Sequence, residues 1–108
     1  MNRREVWWVD FSKSVGSEIQ KERPAIIVSN DVSNRFLSRV QVVPLTTKIG
    51  TVYPNQALVL LRGKKNKALA DQLTTVDKSR LKNLAGQVSL PDMKKVEDAI
   101  LVQLELRP

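Results

Sequence analysis

Short runs of apolar residues separated by polar turns make up most of the chain. Residues 6–9, 25–28 and 39–43 are rich in β-branched and aromatic side chains, which is typical of strands. Pro44 follows the third run and is expected to end that strand, because proline donates no backbone hydrogen bond to a sheet. The Ser-Asn-Asp sequence at 29–31 indicates a turn or a helix cap after the second strand.

Turn-forming residues predict two long loops and a basic hairpin. Segments 12–24 and 46–56 are rich in Ser, Thr, Gly, Pro, Asn and Lys, which together favour loops over strands. Residues 57–61 and the apolar stretch around 68–70 flank a basic turn at 62–67, and this pattern predicts a β-hairpin that carries several positive charges.

The end of the chain changes from strand to helix periodicity. Residues 74–76 lead to Asp77, a predicted cap for one helical turn at 78–80, and residues 85–88 predict a last short strand. Ser89 then has the position of an N-cap for an amphipathic helix that packs on the strands. The apolar residues at helical spacing are Met93, Val96, Ile100 and Leu104.

These elements predict a mostly β, α+β fold in which five to seven short antiparallel strands form a small SH3-like barrel with a C-terminal α-helix. With 108 residues, 42% of them apolar, the chain is expected to be a single domain over residues 1–108. The absence of cysteine excludes disulfides and thiolate metal ligands. No long apolar run or leader is present, so we expect a cytoplasmic protein that does not enter the membrane.

The charge is strongly positive and unevenly distributed. The net charge is +7, and residues 62–82 carry seven basic side chains against Asp71 and Asp77. Such a segment is either a solvated, lysine-rich turn or a binding surface for nucleic acid or for an acidic protein segment, and charge alone does not separate these readings. The basic residues are Arg62, Lys64, Lys65, Lys67, Lys78, Arg80 and Lys82.

Polar clusters stand where apolar strands begin or end. Ser17 and Glu18 lie in the first loop, Arg23 precedes the second strand, and Thr46 and Thr47 follow the third. A small barrel brings strand ends together, so these clusters predict one site with a guanidinium beside two hydroxyls. In a chain without histidine, such groups are suited to binding a phosphodiester without an imidazole or a metal ion.

In this order, the clusters resemble the MazF/PemK family of toxin–antitoxin ribonucleases, whose barrel is of the CcdB/PemK type. The resemblance runs from about residue 4 to the final helix, although Arg4 stands where the family usually has glycine. A Kid-like branch has a histidine and an arginine where this chain has Ser17 and Leu69, so the chain looks closer to chromosomal MazF enzymes. The matching blocks are residues 4–10, 16–18, 23–24, 28–31, 34–35, 43–47 and 68–77.

The resemblance implies a homodimeric endoribonuclease toxin that needs no metal or cofactor. It implies sequence-specific cleavage of single-stranded RNA by attack of the 2′-OH, which leaves a 2′,3′-cyclic phosphate and a 5′-hydroxyl, and inhibition by an acidic MazE-like antitoxin. Arg23 matches the catalytic arginine and Thr46 the catalytic hydroxyl. The residues expected to bind RNA are Ser17, Glu18, Thr47, Lys48, Asp71 and Gln72.

Several of these residues have a second interpretation. Glu18 is equally suited to holding its loop through backbone N–H groups, and Asp71 with Gln72 is expected to interrupt an apolar strand, either to contact a base or to join two subunits. Arginine is a poor general base because its pKa exceeds about 12. Glu18 and Asp71 are therefore candidates for assisting proton transfer, without a basis for choosing either.

Two other functions compete with the ribonuclease. A gyrase poison of the CcdB type shares the fold but depends on an aromatic residue near its C-terminus, and residues 104–108 contain none. A non-catalytic RNA-binding barrel suits the charge, but it does not explain the pairing of Arg23 with Thr46. It would show salt-dependent binding without cleavage.

Overall fold

The computed structural model describes residues 1–106, which form seven strands, two α-helices and two 3-10 turns. Arg107 and Pro108 lie outside the described residues. They belong to the segment 104–108, whose lack of an aromatic residue counts against a gyrase poison. The strands are β1 (Glu5–Asp10), β2 (Glu22–Ile27), β3 (Arg39–Thr46), β4 (Gln56–Leu61), β5 (Lys64–Leu69), β6 (Thr74–Asp77) and β7 (Leu81–Gln87). The helices are α1 (Asp31–Phe36) and α2 (Leu90–Leu104), and the 3-10 turns are Ala70–Gln72 and Lys78–Arg80.

All recorded strand pairs are antiparallel and belong to one curled sheet. The strand order is β4-β5-β3-β2-β1-β7, and β6 pairs separately with β3. Helix α2 packs mainly on β4. The predicted small barrel of antiparallel strands with a C-terminal helix is confirmed, as a half-barrel of seven strands. Neither helix of the described part of the chain is long and apolar enough to cross a lipid bilayer.

The sheet is buried on both faces, and this explains its continuous apolar runs. Ile26 and Val43 belong to the core cluster under α2, whereas Ala25, Ile27 and Val42 belong to a second cluster on the opposite face. Because neighbouring residues of a strand point to opposite faces, a strand buried on both sides needs apolar residues at successive positions. The central strands β2 and β3 therefore have two distinct faces, each with its own surroundings.

The predicted ends of β2 and β3 are wrong in a way that matters for the site. The loop expected at 12–24 ends earlier, because Val9 pairs with Arg23 and holds the start of β2 in the sheet. Strand β3 continues through Pro44 to Thr46. Its outer edge pairs with β6 only as far as Val42 and with β5 from Leu45 onward, so the missing N–H of proline breaks no pairing on that edge.

The basic hairpin is confirmed as β4 and β5, but its turn is shorter than the predicted 62–67: only Arg62 and Gly63 form it, and residues 64–67 belong to β5. Arg62 and Gly63 both have positive φ angles, 52° and 77°, as expected for a hairpin turn whose twist matches its strands. The segment with Asp71 and Gln72 is not a strand, however. It is the 3-10 turn Ala70–Gln72, which occupies the gap between the parts of β3 that pair with β5 and β6.

Both helices begin at the cap residues that the sequence indicates. The presence of helix α1 and the exposure of Leu104 differ from the prediction. Asn30 accepts a hydrogen bond from the N–H of Ser33 and caps α1, a helix of which only the cap signal was predicted. Ser89 caps α2 as expected, through the N–H of Asp92 (3.2 Å). Leu104 is exposed rather than buried, because it lies at the end of α2, beyond the last fully buried turn.

Candidate functional site

Arg23 and Thr46 occupy matching positions on neighbouring strands. Strands β2 and β3 pair with Ala25 opposite Pro44, and two residues further along each strand lie Arg23 and Thr46. Side chains two residues apart in a strand share a face, so both residues lie on the face of the sheet that also buries Ala25 and Val42. The sequence predicted that these two side chains lie close together. The register of β2 with β3 places both residues at the same end of one face of the sheet.

The local structure leaves the polar atoms of both residues available. The hydroxyl oxygen of Thr46 accepts a hydrogen bond from the N–H of Lys48 (3.2 Å), which fixes the oxygen and leaves the hydroxyl proton to be donated elsewhere. Arg23 is exposed. Within residues 1–106 its guanidinium makes no hydrogen bond or ion pair, so all five of its N–H groups are available for an anion.

Four of the predicted RNA-binding residues line one groove, which we call the loop groove. Ser17 and Glu18 approach it from the loop between β1 and β2, and Asp71 and Gln72 from the 3-10 turn after β5. Its volume is about 560 Å³. Phe11, which also lines it, belongs to the same core cluster as Ala25, so the loop groove lies on the same side of the sheet as Arg23 and Thr46.

Hydrogen bonds hold the loop that forms one wall of the loop groove. The carboxylate of Glu18 accepts from the N–H of Val15 (2.8 Å), which is the loop-holding bond considered for this residue. The side-chain carbonyl of Gln72 accepts from the N–H of Ile19 and ties the loop to the 3-10 turn. Glu18 and Gln72 thus shape the loop groove, whatever else they contact.

Thr47 and Lys48 do not join this group. Thr47 follows Thr46 in the chain and lies on the side of α2, where it lines a separate groove with Trp8, Pro24 and Leu84. We call it the hairpin groove, because Arg62 and Lys64 of the basic hairpin also line it. Lys48 is exposed, and its backbone rather than its side chain contacts Thr46.

The two adjacent tryptophans separate as strand alternation predicts. Trp7 is half-buried against the core cluster of Ala25, and its indole N–H donates to the carboxylate of Glu5 (3.1 Å). Trp8 lies on the other face, is 40% exposed and lines the hairpin groove. The exposed tryptophan is therefore beside the basic hairpin and away from the loop groove.

The comparison with known proteins decides the family. A profile of the PemK-like, MazF-like toxins of type II toxin–antitoxin systems matches residues 2–104. The chain belongs to this family. It is 36% identical, over 117 aligned positions, to the protein named endoribonuclease MazF9 of Mycobacterium tuberculosis, with 98% of each chain covered. It is 33% identical over 111 positions to endoribonuclease MazF of Staphylococcus saprophyticus, with 98% of this chain and 92% of that protein covered.

A solved structure supports the same relationship. The chain is similar to an endoribonuclease from a mycobacterial species that was solved in complex with its cognate antitoxin, with a TM-score of 0.83 and 27% identity. The match covers 100% of this chain and 98% of that one. Family membership therefore rests on both sequence and fold over nearly the whole length.

Among the residues of this MazF-like chain that line the loop groove and were not predicted, four are polar: Ser14, Thr74, Thr75 and Arg80. Arg80 forms no ion pair closer than 4.0 Å within the described residues. Asp10 lies near it, and the pKa of that carboxyl is lowered by hydrogen bonds from Ser12 and further by the charges of Lys82 and Arg80. Arg80 belongs to the basic segment 62–82, but charge along a sequence does not reveal which cation faces a groove.

We predict that Gln72→Ala loosens the wall of the loop groove. The N–H of Ile19 loses its acceptor, and a lost hydrogen bond of about 1 kcal/mol corresponds to about five-fold faster amide exchange. Hydrogen–deuterium exchange at Ile19 measures the effect. Asp71→Ala is the matched control, because Asp71 lies in the same turn with an exposed side chain. Equal exchange at Ile19 in both variants would contradict the assigned tie.

Proposed function

We propose that this chain, as one domain over residues 1–108, is a cytoplasmic endoribonuclease toxin that cuts single-stranded RNA at a short sequence without a metal ion or cofactor. The observation that carries the proposal is the register of β2 with β3, which sets Arg23 and Thr46 at one end of one face. The loop groove lies on the same side of the sheet as the pair, although neither Arg23 nor Thr46 lines it, and it offers room for nucleotides. The endoribonuclease names of its relatives support the activity.

The proposed reaction is an internal displacement at phosphorus. The 2′-oxygen of one ribose forms a bond to the adjacent phosphorus while the bond from phosphorus to the 5′-oxygen of the next nucleotide breaks. The products are a 2′,3′-cyclic phosphate and a 5′-hydroxyl. Negative charge grows on the non-bridging oxygens in the transition state, and donors aimed at those oxygens accelerate the step. Arg23 supplies a forked cation and Thr46 a hydroxyl donor.

Proton transfer is assigned to no single residue. The 2′-hydroxyl loses a proton and the departing 5′-oxygen gains one, and the chain has no histidine to carry it. Glu18 and Asp71 are the carboxylates that line the loop groove. One oxygen of Glu18 accepts from Val15, and the carboxylate of Asp71 makes no hydrogen bond within residues 1–106, so each of these exposed side chains keeps an oxygen free to meet solvent and substrate.

The remaining predicted residues are proposed to bind RNA. Ser17 and Gln72 line the loop groove, and we assign them to contacts with bases, where hydrogen bonds to base edges give sequence preference. Thr47 and Lys48 follow directly after Thr46 in the chain, and we assign them to backbone phosphates of the RNA beyond the cleaved bond, because Thr47 lines the hairpin groove on the other face of the sheet. Contacts to phosphate strengthen binding without reading sequence.

An acidic, MazE-like antitoxin is the proposed protein partner. The hairpin groove combines apolar surface from Trp8 and Leu84, which are 40% and 52% exposed, with the cations Arg62 and Lys64. An extended segment with apolar and acidic side chains fits that combination. The mycobacterial relative solved with its cognate antitoxin supports the existence of such a partner.

A homodimer is also proposed. Helix α1 presents Val32 and Phe36 to solvent, 71% and 77% exposed, and these residues are one helical turn apart on the same side of the helix. Large apolar side chains grouped on a surface mark interaction sites more often than chance exposure does. A second copy of the chain would cover them.

We predict that Arg23→Ala lowers the rate of RNA cleavage by at least about 10²-fold, because one donor to the transition state is lost. Folding and RNA affinity should be largely retained, since Arg23 is exposed. Purified protein is incubated with a long single-stranded RNA in EDTA, and the product ends are analysed chemically. Arg39→Ala removes an exposed arginine from the other end of β3 and is the matched control.

Normal cleavage by Arg23→Ala would show that the site is elsewhere. Intact RNA that still shifts on a gel with the parent protein would identify a non-catalytic RNA-binding barrel. Cleavage that EDTA abolishes, or products with 5′-phosphate ends, would contradict the metal-independent attack by the 2′-OH.

We predict that neutralising Lys64, Lys65 and Lys67 together weakens binding to RNA or to the antitoxin and reduces the salt dependence of that binding. The physical reason is the loss of counterion release when fewer cations meet the anionic partner. Affinity is measured at several salt concentrations by titration. An unchanged dependence on salt would mean that the basic hairpin is only a solvated turn.

A further inference from the structure

A second polar groove lies beside the loop groove, and we call it the N-terminal groove. It is formed by residues 1–4, α1, the end of β7 and the 3-10 turn Lys78–Arg80, with a volume of about 720 Å³. Lys78, the first residue of that turn, lines the N-terminal groove, and Arg80, the last, lines the loop groove. Only one three-residue turn therefore separates the two grooves.

Three cations of the N-terminal groove keep an uncompensated charge. The guanidinium of Arg4 donates to the backbone carbonyl of Val88 (2.9 Å), and the ammonium of Lys78 donates to the carbonyl of Asn34. These acceptors are neutral, so they fix the side chains without cancelling their charge. Arg35 is exposed in the last turn of α1. Within residues 1–106 none of the three forms an ion pair with a carboxylate.

The acidic side chains around the groove do not cancel this charge. Asp31 is the carboxylate that lines it, and hydrogen bonds from the backbone of Arg3 and the side chain of Asn34 lower its pKa, which keeps it ionised. The guanidinium of Arg3 pairs with Glu97 (2.9 Å) and is thereby neutralised. Arg4, Arg35 and Lys78 against Asp31 leave an excess of two positive charges, which favours an anion.

We propose that the N-terminal groove binds a backbone phosphate of the RNA, beyond the nucleotides that occupy the loop groove. This inference rests on the proposed function, because it takes RNA as the substrate. A peptide anchors itself through apolar side chains, for which the hairpin groove offers Trp8 and Leu84. The N-terminal groove is lined mainly by cations and amides, two of the cations held in place by backbone carbonyls, and such groups suit phosphate oxygens.

The proposal is tested with the double variant Arg35→Gln, Lys78→Gln. The control is Lys94→Gln, Lys95→Gln, which removes the same charge from the outer side of α2, where both lysines pair with aspartates. Both are made in the Arg23→Ala background so that RNA is bound and not cut. The slope of log affinity against log salt should fall by about 0.7 for each lost phosphate contact in the groove variant. The control should keep the parent slope.

A length series locates the contact. Synthetic RNAs carrying the cleaved sequence are extended by one nucleotide at a time, on either side, and their affinities are measured. The Arg23→Ala parent should gain affinity in one step, at the length that reaches the N-terminal groove, and the groove variant should lack that step. Thermal unfolding of both double variants checks that their folds are intact.

Equal slopes for the two double variants, or a length step that persists in the groove variant, would overturn the inference. Loss of antitoxin binding with unchanged RNA binding would overturn it too, and would assign the N-terminal groove to an acidic protein segment. Failure of the proposed function can be told apart from failure of this inference. In that case the chain with Arg23 intact would leave every RNA uncut, whatever the salt dependence of binding of the two double variants.

Discussion

A slip of one residue in the pairing of β2 with β3 would move Arg23 to the opposite face of the sheet from Thr46. The register is fixed because both strands are buried on both faces, so any slip would exchange two differently packed sets of side chains. Strand β1 adds a second constraint by pairing Val9 with Arg23. The arrangement proposed for catalysis is thus a consequence of core packing rather than of the loops around it.

The two faces of the sheet give the toxin two separate surfaces. The loop groove lies on the side of the sheet that carries Arg23 and Thr46, whereas Thr47 and Trp8 line the hairpin groove on the other side. The first surface is suited to the reacting phosphodiester and the second to an extended acidic partner. Pro24, which directly follows Arg23, lines the hairpin groove, so a partner bound there would lie close to the start of β2.

Much of the fold could be predicted from the sequence because its signals are local. The hairpin turn at Arg62 and Gly63, the cap at Ser89 and the period of α2 each depend on residues close in the chain. The end of β3 could not be predicted from the sequence. Pro44 is tolerated inside the strand because, on its outer edge, β3 has no partner strand between the parts that pair with β6 and β5. That gap is a property of the folded sheet and has no local signature.

The candidate site shows the same limit. Ser17, Glu18, Asp71 and Gln72 were expected at one place, through resemblance to the family, and they do line one groove. The separation of Thr46 from Thr47 was not foreseen, because it requires knowing that β3 reaches Thr46. Arg80 could not be distinguished by sequence from the other cations of segment 62–82. Its position beside the loop groove depends on how the 3-10 turn Lys78–Arg80 packs, and not on its neighbours in sequence.

The assignment of Thr46 to catalysis is tested by comparing the adjacent variants Thr46→Val and Thr47→Val in single-turnover cleavage of one RNA. Both remove a hydroxyl and keep the side-chain shape, but the two residues lie on opposite faces of the sheet. We predict that Thr46→Val slows the chemical step by about 10²–10³-fold. Thr47→Val should alter affinity at most. Equal rates for the two variants, or a larger loss of rate in Thr47→Val, would contradict this assignment.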